Sequence, residues 1–222
     1  GKEVIRSGMG REVDRARRAL DLAKDRVVAM VSGGDAGVYG MASIVLEVAE
    51  RSGSNVAIEV IPGITAALSA GALLGSPLSG DYVTMSLSDL LTPWEEIERR
   101  LDLAFQMRVP VVLYNPRSRG RQHNLDAAIA IARRYLPATT PVGVVKNAYR
   151  MGEERLITTL GEFGDHFAFV DMHSIVFIGG EETRIWRSET DARGIITPRD
   201  TTGNTYTDLA AVTPEAYAIA ST

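Results

Sequence analysis

Apolar residues recur at helical spacing across residues 11–24, where Val13, Ala16, Leu20 and Ala23 line one side and arginines the other, so a helix is predicted. Val27-Val28-Ala29-Met30-Val31 follows as an unbroken β-branched run, the pattern of a strand covered on both faces. A glycine-rich loop at 32–40 leads into a helix over 41–51. A second short apolar run, 56–61, stops at Pro62-Gly63 and passes into an alanine-rich helix over 64–74. Strand and helix patterns alternating in this way predict an α/β fold whose N-terminal part is a mostly parallel sheet with crossover helices.

Gly75-Ser76-Pro77-Leu78-Ser79-Gly80 has the breaker density of a linker, which places a domain boundary there: residues 1–78 form the first domain and 79–200 the second. Beyond it the pattern predicts strand 82–87, helix 93–107, strand 109–114, helix 122–135 and strand 141–146. Then the rhythm changes. Residues 156–160, 174–178 and 183–186 are β-rich with short connections, so the second domain is expected to be a mixed sheet that finishes with antiparallel strands. Residues 201–222 show no persuasive period and are expected to be a tail.

Composition narrows the function classes. The chain has 222 residues, 45% of them hydrophobic and 23% charged, and it contains no cysteine. That excludes disulfides, thiolate zinc sites, iron–sulfur clusters and cysteine nucleophiles together, and it fits a cytoplasmic setting. No apolar stretch reaches the roughly 18 residues that a membrane span needs, and no charged-then-apolar leader opens the chain, so no membrane partner is expected. Lys and Arg number 24 against 28 Asp and Glu, a net charge of -4 that argues against nucleic acid. Residues 115–155 run the other way, with eight basic residues against three acidic ones. Either an anionic ligand faces that segment or the charges are solvated helix and loop positions.

Four loops at predicted strand ends are candidates for chemistry. In Ser32-Gly33-Gly34-Asp35-Ala36-Gly37-Val38-Tyr39-Gly40, glycine lets backbone groups approach a ligand, while Asp35 also suits a cap on a tight strand-to-helix turn. The loop lacks the spacing of a dinucleotide or P-loop motif, so phosphate is not its evident ligand. In Ile61-Pro62-Gly63-Ile64-Thr65-Ala66-Ala67, Thr65 either caps the helix or offers its hydroxyl. The third and fourth are Leu113-Tyr114-Asn115-Pro116-Arg117-Ser118-Arg119 and Val145-Lys146-Asn147-Ala148-Tyr149-Arg150, both in the basic segment.

These stretches, read at 32–40, 60–66, 113–121 and 145–153 with Ile196-Thr197-Pro198-Arg199 after them, resemble in order and spacing the tetrapyrrole methylases that use S-adenosylmethionine. The likeness is greatest to the C17-methylating branch, whose patterns run S-[SG]-G-D-P-G-V-Y-G, V-I-P-G-I-T-A, L-Y-N-P-x-S-x-x-R, V-x-N-A-x-R-x-G-E and I-T-P-R. Ala36 stands where the family has proline. The family's opening strand and its G-x-G-P-G-D loop have no counterpart in a sequence that starts Gly1-Lys2-Glu3-Val4, so an upstream piece is expected to be missing. The resemblance implies two α/β domains with S-adenosylmethionine in the cleft between them, a homodimer, and a tetrapyrrole substrate fringed with carboxylates.

Carried over position by position, the implied cofactor contacts are Gly33, Gly34, Asp35 and Val38, then Thr65 and Ala66, then Tyr114 or Asn115, and Ala148. A planar guanidinium holds a carboxylate through two charge-assisted hydrogen bonds, which makes Arg117, Arg119, Arg121 and Arg150 the candidates for the substrate. Methyl transfer needs alignment and exclusion of water rather than a nucleophilic side chain, in agreement with the lack of a G-x-S-x-G elbow or a histidine metal spacing. No acid or base is identified: His123 reads better as an exposed helix start, His166 and His173 offer no metal spacing, and Tyr39 is explained equally by packing. The alternatives are another branch of the family, of precorrin C11, uroporphyrinogen or diphthine type, and a non-catalytic binding module that has lost the tetrapyrrole loop.

Overall fold

The computed structural model describes residues 2–8, 10–118, 120–189 and 191–199. They fall into two compact units that divide between Ala66 and Ala67.

The first unit is built on helices α1 (Glu12–Leu22) and α2 (Ala42–Ser52). Their apolar stripes bury Ala16, Leu20, Met41 and Ala49. The helix ends at Gly53, whose φ of 62° is the left-handed turn that glycine adopts without a Cβ penalty. The runs 27–31 and 56–61, predicted as strands, are not strands here, and the described part of this unit contains none. Apolarity and β-branching specify extended backbone, but a ladder needs a neighbouring strand, and neither run pairs with the other. Val27, Val31 and Ile61 are consequently 101%, 85% and 73% exposed.

The second unit holds α3 (Ala66–Leu74, counted from Ala67), β1 (Gly75–Ser76), β2 (Val83–Ser86), α4 (Trp94–Gln106), β3 (Val111–Tyr114), α5 (His123–Tyr135), β4 (Pro141–Lys146) and β5 (Glu154–Thr159). A 3-10 helix (Phe163–Phe169), β6 (Ser174–Ile178), β7 (Arg184–Arg187) and β8 (Ala192–Ile196) complete it. Five strands form a sheet in the order β2-β3-β6-β4-β5, in which only β2 and β3 are parallel. The antiparallel finish expected from the sequence is therefore present.

Period-2 alternation gives this sheet two apolar faces. Val111, Leu113, Val142, Val144, Val176 and Ile178 join Ile97, Leu101 and Phe105 of α4 and Leu125 and Ile129 of α5 in one core. The opposite face receives α3. A Cβ on Gly143 would lie 2.6 Å from Leu74 Cδ1 and 2.9 Å from Ile195 Cδ1, so glycine is what lets α3 and β8 approach the sheet there. Gly75-Ser76, read as linker, instead pairs in parallel with β8. The hydroxyl of Thr197 donates to the Pro77 carbonyl at 2.6 Å and meets Thr183 Oγ1 at 2.9 Å, so the Ile196-Thr197-Pro198-Arg199 stretch fastens this small sheet.

The direction of the strands positions the chemistry. Both β3 and β4 run antiparallel to β6, and β2 is parallel to β3, so the loops after β2, β3 and β4 leave one edge of the sheet. Truncation of fully buried Leu101 to Ala is expected to cost about 2–5 kcal/mol in urea unfolding, as a cavity in a packed core does. Val31→Ser, at a position 85% exposed, should stay within about 0.5 kcal/mol of the parent. Equal losses for the two would contradict this division of the chain into core and surface.

Candidate functional site

In the first unit the two glycine-bearing turns are tied by one carboxylate. Asp35 Oδ1 accepts the N–H groups of Gly37 at 2.8 Å and Val38 at 3.1 Å, and Oδ2 accepts that of Gly63 at 2.9 Å. These bonds, first that of Gly63 and then that of Gly37, hold the Asp35 carboxyl below its ordinary value of 3.8. Beside that carboxylate the turns meet backbone to backbone: Gly34 has φ 76°, and a Cβ placed on it would lie 3.8 Å from Thr65 Cα. One placed on Gly63 would collide with the Gly34 carbonyl oxygen. Val38 is 37% exposed, Gly33 and Gly34 are exposed, and Thr65 and Ala66 are half-buried. The Ala36 carbonyl accepts the Ala42 N–H at 2.9 Å, which closes the loop where the family has proline.

In the second unit, Tyr114 and Asn115 end β3. Tyr114 is 7% exposed, its carbonyl accepts the Leu87 N–H at 2.9 Å, and its hydroxyl accepts the Ala67 N–H at 2.8 Å in the first turn of α3. Asn115 donates its side-chain amide to Ser86 Oγ at 3.0 Å. Ala148 sits between Asn147 and Tyr149, both of positive φ. That loop is closed by Asn147 Nδ2 donating to the Gly152 carbonyl, by the Asn147 N–H donating to the His173 carbonyl, and by the Tyr149 N–H donating to Glu153 Oε2.

Backbone strain marks the same loops. Among the described residues five non-glycines have positive φ, and four of them, Tyr39, Asn115, Asn147 and Tyr149, lie in the loops singled out from sequence. Such conformations persist where surrounding contacts over-determine them, and they concentrate at binding sites.

The arginines differ in what they have left to offer. Arg117 donates to the Phe167 carbonyl, and its guanidinium lies 5.9 Å from the Phe167 ring centroid. Arg121 is 3.7 Å from Asp89 with its side chain 15% exposed, and its Nη1 is buried without a hydrogen-bond partner. Arg150 is exposed on the β4 loop and has no side-chain partner among the described residues. Arg119 lies outside the described residues.

Sequence reading passed over Asp89, Phe167, Phe169 and Asp171. Asp171 lies 3.7 Å from Lys146 Nζ, which stands 4.3 Å over the Phe169 ring. The segment Phe163–Phe169 lacks a helical period, and ion pairs between distant loops leave no local signal. His123 begins α5 and is exposed, with its ring edge-on to Trp94 at 6.5 Å; no cluster of metal-ligating side chains occurs among the described residues.

Apolar side chains share this sheet edge with the cations: Leu91 after β2 is 96% exposed, and Tyr149 and Met151 after β4 are 66% and 98% exposed. The turns of the first unit carry no basic side chain over 32–40 or 60–67, so nothing there repels a cation such as a sulfonium. S-adenosylmethionine thus fits the donor set, through neutral backbone groups.

Residues 2–164 match the model of the tetrapyrrole (corrin/porphyrin) methylases. The chain is 46% identical over 185 residues, 83% of its own length and 76% of the relative's, to a Salmonella typhimurium protein named probable cobalt-factor III C(17)-methyltransferase. It is 41% identical over 192 residues, 85% of itself and 75% of the relative, to a precorrin-3B C(17)-methyltransferase of Sinorhizobium sp.. Among solved structures it is similar to that of the methyltransferase CobJ, with a TM-score of 0.76, 33% identity and coverage of 84% of this chain and 77% of that one. The stapled glycine turns and the strained loops at the strand ends therefore lie in a chain that belongs to the tetrapyrrole methylases.

Proposed function

We propose that this chain transfers a methyl group from S-adenosylmethionine to C17 of a precorrin-3B or cobalt-factor III macrocycle, with contraction of the ring, during cobalamin synthesis. The observation that carries the reading is the 46% identity, over 83% of the chain, to a relative named for that reaction. A homodimer and a cytoplasmic setting belong to the same proposal, as does a carboxylate-rich tetrapyrrole as the partner molecule.

When bound, S-adenosylmethionine supplies an electrophilic methyl on a sulfonium, whose C–S electron pair returns to sulfur as the C17–methyl bond forms. The chain's own residues bind and align. Gly33, Gly34, Asp35, Val38, Thr65 and Ala66 form the cofactor turns of the first unit; Asn115 and Ala148 are the cofactor residues of the second, and Tyr114, whose hydroxyl accepts the Ala67 N–H, serves beside them indirectly. The Asp35 carboxylate serves this role indirectly, since its three bonds go to Gly37, Val38 and Gly63. Arg121 directs a buried, unpartnered Nη1 that a substrate carboxylate would satisfy, and Arg117 and Arg150 extend the cationic edge beside it.

The direct test is incubation with methyl-labelled S-adenosylmethionine and either macrocycle. Label at C17 is the expected result, and label at another ring position, or none, would overturn the assignment. Arg121→Ala should raise the macrocycle's KM at least tenfold while leaving cofactor affinity within about twofold, read by initial rates and calorimetry. Gly63→Ala should weaken cofactor binding more than tenfold because its Cβ meets the Gly34 carbonyl, whereas Gly80→Ala, with open space around it, should not. The lowered Asp35 value fixes a sign as well. The staple is complete above the ordinary 3.8 and is lost only as pH falls through the lowered value beneath it, so cofactor affinity should be insensitive to Asp35 protonation at every pH above 3.8 and fall in more acidic solution.

A further inference from the structure

We propose that Tyr114 is a positioning residue: its phenolic oxygen holds the first turn of α3, and through that turn it sets the affinity for S-adenosylmethionine without touching the reacting atoms. This rests on the functional reading above. The geometry is specific. The Ala67 N–H is one of the donors at a helix start that no intrahelical carbonyl can reach, and Tyr114 accepts it at 2.8 Å in a buried position. The phenol is set by both ends of its residue: β3 pairing puts Val112 and Tyr114 on the face opposite the α4 and α5 core, and the Tyr114 carbonyl is bonded to the Leu87 N–H. Asn115 is pinned in turn to Ser86. The oxygen therefore comes from the rigid end of a strand, and the amide it receives directly follows Thr65 and Ala66 in the chain.

A side chain that fills this place has to reach across the packing distance between sheet and helix and end in an acceptor. Phenylalanine fills the same volume and lacks the acceptor, which leaves a buried N–H unpaired and a helix start less firmly held. Binding that needs Thr65 and Ala66 in one arrangement then becomes weaker, because fewer molecules have that arrangement ready.

The test compares Tyr114→Phe with the full chain and with Val112→Ala, a cavity variant at a fully buried position on the same face of β3. Tyr114→Phe is expected to speed hydrogen exchange at Ala67 and to raise the Kd for S-adenosylmethionine about tenfold, with the macrocycle's KM unchanged. Val112→Ala is expected to lower Tm at least as much, yet leave that Kd within about twofold. Faster exchange at Ala67 with an unaltered Kd would overturn the inference, showing the bond to be structural only. Equal losses of affinity in the two variants would overturn it as well. Failure of the parent chain to bind S-adenosylmethionine would instead remove the underlying functional reading, so the two failures are separable.

Discussion

A backbone N–H that leaves a regular element must find an acceptor, and the loops of this protein are arranged around that requirement. Asp35 answers it three times, for Gly37, Val38 and Gly63, and in doing so joins two turns that otherwise meet backbone to backbone. A carboxylate is suited to this because its two oxygens take several donors at once, and a charged acceptor makes the stronger bond. Without it, two glycine-rich segments would retain the conformational freedom that makes glycine costly to order. The first unit presents no sheet in its described residues, so this single side chain carries an ordering role that strand pairing would otherwise share.

The second unit reaches the same end by strand direction. Three strands deliver their carboxyl ends to one edge, and each following loop is then tied by side chains that serve backbone groups or one another. Asn115 holds Ser86, Asn124 holds the Leu87 carbonyl, and Asn147 holds Gly152. In each case the side-chain amide donates, and Asn115 and Asn147 also hold the left-handed backbone that asparagine tolerates better than most residues. Residues that look like ligand contacts in the sequence are in this way partly occupied by the protein itself.

Much of the second unit was legible in the sequence. Its helices and most of its strands announce themselves by period, and the switch to antiparallel pairing shows as short β-rich runs with short connections. What was not legible is non-local. Val27 to Val31 has every property of a buried strand except a partner, and no local pattern says whether a partner is at hand. β8 contains Arg193 and Gly194, which hide it from a propensity reading, yet it is secured by Gly75 and Ser76 more than a hundred residues earlier. The candidate loops were visible through their glycines, prolines and asparagines. The tasks of Asp35 and Tyr114 were not, since a carboxylate or phenol in a loop reads equally as a contact for a ligand or for its own chain. Asp89 opposite Arg121 and Phe169 under Lys146 are likewise products of folding alone.

The distribution of charge follows from the two molecules the reading requires. A sulfonium donor is a cation, and a ring fringed with carboxylates is a polyanion, so one uniformly basic or acidic surface would repel one of them. The sequence separates the demands. The turns at 32–40 and 60–67 carry a single carboxylate, already engaged by backbone donors, and no basic side chain, whereas residues 115–155 carry eight basic side chains against three acidic ones in a chain whose net charge is -4. Within that basic segment three of the cations are themselves restrained, Arg117 by a carbonyl, Arg121 by Asp89, and Lys146 by Asp171 and an aromatic face, while Arg150 is exposed. Restraint lowers the rotamer entropy each cation loses on meeting a carboxylate, and the buried Nη1 of Arg121 retains one donor that the protein itself leaves unmatched.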